Sequence, residues 1–271
     1  MYAKLKTLQL QYQGFTKTPF LWHGKGVFGL EQYEHVLTKS HSFNTTITEK
    51  LPLGKLAERF VFFELKKQKA IRLLLENIQI QREKITLGEL DCIFQDKNQV
   101  IHLEIVYKFY LYNSSIGNSE IAHWIGPNKK DTLLDKLKKL KQKQFPLIAE
   151  KECIESLQKQ KISTKNIQQR VYFKAQLFLP LGTEKKTYQH INNKCISGFY
   201  CNAKALHSFD TYKFYIPAKL NWFVTPHTQV SWLDFYSFNK QIENLHSQKK
   251  SPLCWVKKRN GELLKLFVVW W

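Results

Sequence analysis

Acidic residues are scarce in this chain, paired cysteines are absent, and each shortage narrows its chemistry. The 271 residues hold 22 aspartates and glutamates against 42 lysines and arginines, a formal net charge of +20. A field of that sign favours an anionic partner, either nucleic acid or an anionic membrane surface, and charge alone does not choose between them. Part of the lysine content, with the many isoleucines and asparagines, is also what an AT-rich source would give. The five cysteines (Cys92, Cys153, Cys195, Cys201 and Cys254) are odd in number and form no Cys-x-x-Cys pair, so free buried thiols are expected. Cys195, Cys201 and His207 are spaced unlike the common zinc ribbons and fingers. No apolar run reaches the roughly 20 residues of a membrane span. The start, Met1-Tyr2-Ala3-Lys4-Leu5-Lys6, lacks the apolar stretch of a secretory signal, so a soluble cytoplasmic protein with no membrane partner is expected. Gly-Lys-Ser phosphate loops, Gly-x-Ser-x-Gly elbows and His-Glu-x-x-His pairs are also missing, which leaves P-loop hydrolysis, serine hydrolysis and zinc proteolysis without support. No internal repeat or low-complexity segment is found.

What is present is a carboxylate pair on two consecutive expected strands. Gly88-Glu89-Leu90-Asp91 leads into the apolar Cys92-Ile93-Phe94. The polar turn signal Gln95-Asp96-Lys97-Asn98-Gln99 follows, and then Val100-Ile101-His102-Leu103-Glu104. A hairpin over these residues sets Asp91 beside Glu104. Alternation then puts Glu104, Val106 and Lys108 on one face and Leu103, Ile105, Tyr107 and Phe109 on the other. Two carboxylates about 4 Å apart repel by roughly 4 kcal/mol at an effective dielectric near 20, unless a proton or a cation lies between them. A hard divalent ion such as magnesium suits such an all-oxygen site. Lys108 on the same face would steady negative charge developing on a phosphate. His102 shares that face and reads as a hydrogen-bonded core histidine or as a group supporting the acids.

A helix with a glutamate, then Asp, then Glu followed by a same-face Lys resembles the PD-(D/E)XK nuclease-like superfamily. More narrowly, Gly88-Glu89-Leu90-Asp91, His102-Leu103-Glu104 with Lys108-Phe109-Tyr110-Leu111, and Gly126-Pro127-Asn128 with Asp131 and Lys136 resemble a bacterial family, domain of unknown function family 1853. The motif agreement runs from about Gly54 to Leu147 and continues weakly to the C-terminus. The resemblance implies an α/β fold with a restriction-endonuclease-like core, a central mixed sheet flanked by helices, and a Mg2+ or Mn2+ site on the hairpin. It implies Asp91, Glu104, Lys108 and Glu58 as catalytic residues, with Asp91, Glu104 and Glu58 holding the metal. It also directs Asn128, Asp131, Lys136 and Gln144 toward the substrate cleft. The chain departs from the superfamily in one respect: the lysine normally stands two residues after the second acid, where this chain has Val106. Lys108 lies two residues further, about 6.6 Å along the strand.

The flanking segments have readings of their own. Leu51 to Leu65 reads as the start of a helix with Gly54, Glu58, Phe62 and Leu65 at helical spacing, which puts Glu58 in or beside a buried stripe. Its partner is either the metal site or a neighbouring Arg59 or Lys55. Asn113 to Lys130 reads as a long loop approaching the site. Asp131 offers an N-cap for a helix with Leu133, Leu137 and Leu140 inside and Lys138, Lys139, Lys141 and Lys143 outside. Those lysines are a solvated face or, beside a metal site, a phosphate track.

The expected organisation is residues 1–149, an N-terminal helical segment and the nuclease-like core, and residues 150–271, a mainly β region that is a second domain or completes the first. In that last part Val171–Leu179, Cys195–Tyr200, Tyr212–Ile216 and Leu263–Trp271 read as strands, with a helix near 233–245. Two functions follow from this reading. One is a metal-dependent nuclease acting on DNA or RNA, with DNA the first expectation. The other is a module that kept the fold, lost turnover, and binds nucleic acid or a protein. A glycosidase using Asp91 and Glu104 fits the basic field poorly.

Overall fold

Three consecutive extended segments set the architecture. In the computed structural model, which describes residues 2–34, 42–184 and 186–271, β1 (Ile71–Arg82), β2 (Ile85–Asp96) and β3 (Gln99–Tyr112) form an antiparallel meander. The β2–β3 turn is Lys97-Asn98, with Asp96 opposite Gln99 and Lys97 at φ 53°, the left-handed conformation that so short a hairpin requires. The two-residue β4 (Trp124–Ile125) pairs with the end of β3. On its other edge β3 pairs in parallel with β5 (Gln168–Pro180). A parallel partner needs a crossover, and α3 (Leu133–Lys139) and α4 (Lys151–Lys159) lie on it. These helices are preceded in the chain by α1 (Tyr2–Lys17) and α2 (Leu53–Lys66).

The same sheet continues with β6 (Ile196–Asn202), β7 (Lys213–Tyr215), β8 (Leu253–Lys257) and β9 (Leu263–Val269), in the spatial order β1-β2-β3-β5-β6-β9-β8-β7. It is antiparallel at both ends and parallel in the middle. α1 and α2 cover the face that presents Leu103, Ile105, Tyr107 and Phe109, with Phe15, Phe60 and Phe63 among the rings packed there. The opposite face presents Val106, Tyr110, Val171 and Phe173 to Leu133, Leu137 and Leu140. Burial on both faces explains why β3 and β5 read as nearly unbroken apolar runs. α4 packs Cys153 and Leu157 on Ile80, Leu90 and Ile93, whereas α5 (Phe235–Ser247) packs Phe238 and Ile242 on the β-rich C-terminal extension. The succession of α2, the β1–β3 meander, α3 and parallel β5 is the restriction-endonuclease-like arrangement expected from the sequence. All five cysteines are free and buried.

Two details differ from the sequence reading: residues 113–130, read as a loop, contain β4 (Trp124–Ile125), and the cap of α3 is not Asp131. The N-cap of α3 is Thr132, whose hydroxyl accepts from the Asp135 amide at 3.0 Å, and not Asp131. Asp131 is drawn away by a lysine on β3, as described below.

Candidate metal centre

The β2–β3 ladder runs from Asp96 and Gln99 to Cys92 and Leu103 and stops there. Asp91 and Glu104 are the next opposed positions. Beyond this point β2 stays with β1, while β3 stays with β5, so the two strands part. The Asp91 Oδ2 accepts the Ile105 amide at 2.8 Å, which satisfies a backbone donor that the parted ladder would otherwise orphan. Glu89, two residues before Asp91, points to the same side of β2. Glu58 arrives from α2, and carboxylate oxygens of Glu58, Glu89 and Asp91 all lie within 4.8 Å of one another. The Lys55 ammonium, one turn before Glu58, donates to Glu58 Oε2 at 2.8 Å, to Asn77 Oδ1 at 3.3 Å and to Glu89.

Glu104 is fully buried, and both its oxygens are held. One accepts from His102 Nε2 at 3.0 Å, and the other accepts from the Gln144 amide. The Gln169 amide lies 3.4 Å from His102 Nδ1, on the side of the ring away from Glu104. Gln144 closes a widened helical turn, Leu140–Gln144, that extends α3, and its Oε1 accepts from Lys136 Nζ at 2.8 Å. A chain of contacts thus links Lys136, Gln144, Glu104 and His102.

The electrostatics follow from this crowding. Burial, reinforced by Glu104 and Glu58, pushes the Asp91 carboxyl up to about 8, against the pull of the Ile105 amide and Lys55. Burial also raises Glu58, with Lys55 opposing. Burial lowers the Lys136 ammonium, while Glu104 and Asp91 hold it up. Four carboxyl groups (Glu58, Glu89, Asp91, Glu104) face two ammonium groups (Lys55, Lys136) and the His102 imidazole. The acids outnumber the bases. The donor set is all oxygen, and one hard divalent cation of the magnesium or manganese kind matches both the charge and the ligand chemistry. Without it, a proton on Asp91 relieves part of the repulsion.

A family model described as Domain of unknown function (DUF1853) matches residues 29–269, most of the chain and every residue of this site. The chain belongs to the DUF1853 family. No curated protein and no solved structure matches it. In this DUF1853 chain the remaining sequence-derived site residues have partners outside the acidic cluster. Lys108 Nζ donates to Asp131 Oδ2 at 2.6 Å, and the pair is partly exposed. Gly126 makes room for that aspartate, since a Cβ there would meet Asp131 Oδ1 at 2.1 Å. Asn128 Oδ1 accepts the Ser251 amide at 2.8 Å and so ties its loop to the C-terminal strands. One residue of the centre has no role in the sequence reading, Glu89, which appears there only within the Gly88-Glu89-Leu90-Asp91 motif, whereas the pairing of Lys55 with Glu58 is one of the two partnerships that reading offers for Glu58.

Proposed function

We propose that this DUF1853 protein is a divalent-metal-dependent nuclease that hydrolyses phosphodiester bonds, DNA first, with a site of the PD-(D/E)XK kind. The observation that carries this is the cluster of Glu58, Glu89 and Asp91 where β2 and β3 part, with carboxylate oxygens all within 4.8 Å of one another. Glu58, Glu89 and Asp91 hold Mg2+ or Mn2+, with Glu104 behind them. The ion supplies Lewis acidity toward a phosphate oxygen and neutralises charge that develops there. Lys136 takes the part that the superfamily gives to a strand lysine: Gln144 keeps its ammonium beside the acids, where it stabilises the developing negative charge. His102 fixes the Glu104 carboxylate from behind. The exposed Lys138, Lys139, Lys141 and Lys143 on the same helical segment hold the nucleic-acid backbone.

A second reading, a binding module without turnover, draws on the Lys55 ammonium, which already pairs with both Glu58 and Glu89. A cleavage assay separates the two. Labelled linear and circular DNA and a structured RNA are incubated with magnesium, manganese or chelator, using wild type, Asp91→Ala and Glu104→Ala. The nuclease reading expects cleavage that needs the metal and vanishes in both variants. Salt-sensitive binding without cleavage, equal in all three proteins, would select the module.

A further inference from the structure

On the face covered by α1, well away from the acidic cluster, lies a cavity of about 500 Å³ between the end of α1, the 223–226 segment and strands β6 and β9. Register places it. Lys265 pairs with Gly198, Gly198 with Phe178, and Phe178 with Leu111, so the cavity is level with a point seven residues along β3 from Glu104. That is about 23 Å at 3.3 Å per residue, before the sideways step to β9 is added. Its lining contains Lys17, Lys194 and Lys265 and no acid. A neighbouring cavity of about 420 Å³ shares Lys17 and adds Lys6 and His227, again without an acid.

Lys265 is the unusual member. Its side chain is 7 % exposed, and its ammonium donates only to neutral acceptors, Gln176 Oε1 at 2.7 Å and the Trp222 carbonyl at 3.0 Å. No carboxylate pairs with it among the described residues. An ammonium buried without a counter-ion is costly, and burial pushes this one down to about 7. An anion in the cavity would supply what the fold omits. The carbonyl end of α1, which would repel an anion, is capped at Phe15 and Thr16 by Lys174. Gly198 leaves the floor bare beside Lys265, and a Cβ there would meet the Lys265 carbonyl at 2.2 Å.

We propose that this cavity binds a phosphomonoester, with Lys265 at its floor, Lys17 and Lys194 at its mouth, and Phe199 and Pro226 as an apolar wall for an attached ring. A dianionic phosphate balances three lysines better than a carboxylate does. The phosphate comes either from a free nucleotide or from the 5′ end of a nucleic-acid strand.

The test is calorimetric titration in chelator, so that no metal-dependent event contributes, with inorganic phosphate, AMP, and one oligonucleotide bearing either a 5′-phosphate or a 5′-hydroxyl. Phosphate and AMP are expected to bind wild type and Asp91→Ala alike. Affinity should fall about tenfold or more, the worth of a hydrogen bond to a charged group, in Lys265→Met and in the double variant Lys17→Ala/Lys194→Ala. The second variant changes exposed residues only, so it reports even if Lys265→Met does not fold. Tighter binding of AMP than of the 5′-phosphorylated oligonucleotide assigns the site to free nucleotides, and the reverse, with discrimination against the 5′-hydroxyl form, assigns it to strand ends. No binding of any phosphate at millimolar concentration, or binding undiminished in the variants, overturns the proposal.

Discussion

Asp91 carries the strain of the candidate centre, and its protonation gives a signature in stability. Its ordinary value is 3.8, and in the fold it is pushed up to about 8 by burial and by Glu104 and Glu58. Between those values the folded chain keeps a proton that the unfolded chain has released. The stabilisation is therefore complete below the lower value and lost as pH rises through the higher one. In chelator, the melting temperature of wild type relative to Asp91→Asn is expected to fall as pH rises from about 4 to about 8, and the affinity for magnesium to rise toward the upper end of that window as the proton leaves. A flat difference between the two proteins would remove Asp91 from the coupled cluster. The two lysines divide just as sharply. Lys136 touches Gln144 beside Glu104, whereas Lys108 is committed to Asp131. Lys136→Met should lower kcat by about 10²-fold or more, the usual scale for losing one electrostatic donor in a site, with nucleic-acid binding little changed. Lys108→Met should leave kcat near wild type. Single-turnover cleavage of a labelled duplex reads both, and the opposite ranking would restore the role to the strand lysine.

At the level of elements, α3 and the widened turn after it bring Lys136 and Gln144 to the acids, and Leu133, Leu137 and Leu140 anchor them in the core. Leu137→Ala should cost about 3 kcal/mol of stability, measured by urea unfolding, because its site is fully enclosed. It should also reduce cleavage more than Lys141→Ala, which changes an exposed residue. The hairpin and α3 were legible in the sequence because period-two and three-four apolar patterns survive there, with a polar turn between the strands. β1 was not. Leu73-Leu74-Leu75-Glu76 breaks the alternation, and its pairing with β2 contains two register shifts. The candidate site was legible in its acids, since Asp91 and Glu104 follow from hairpin register and Glu58 from helical spacing. The roles of the bases were not legible. Face alternation puts Lys108 on the acid side of β3, but the contact with Asp131, made possible by Gly126, is a tertiary matter that no local pattern records. Glu89 was hidden for the same reason, since its partners Lys55 and Glu58 lie on α2, whereas the Lys55–Glu58 pair was legible as a contact within one helix.

For the whole molecule, one sheet joins the two halves of the chain. β5, from residues 168–180, lies between β3 and β6, so we read residues 1–149 and 150–271 as one folding unit. The loop after β4 strengthens that junction. Asn128 binds the Ser251 amide, the Pro127 carbonyl accepts from the Trp271 indole at 3.0 Å, and Lys129 lies 3.9 Å over the Trp271 ring. Against a net charge of +20, the knot of four acids at the parting of β2 and β3 is a local exception. Glu58, Glu89 and Asp91 within that knot could coordinate a divalent cation. The most direct measurement is a calorimetric titration of metal-free protein with Mn2+ at pH 8. One ion is expected to bind per chain, with affinity lost in both Asp91→Ala and Glu89→Ala. No binding at millimolar Mn2+, or binding that survives both substitutions, would contradict the proposed metal centre.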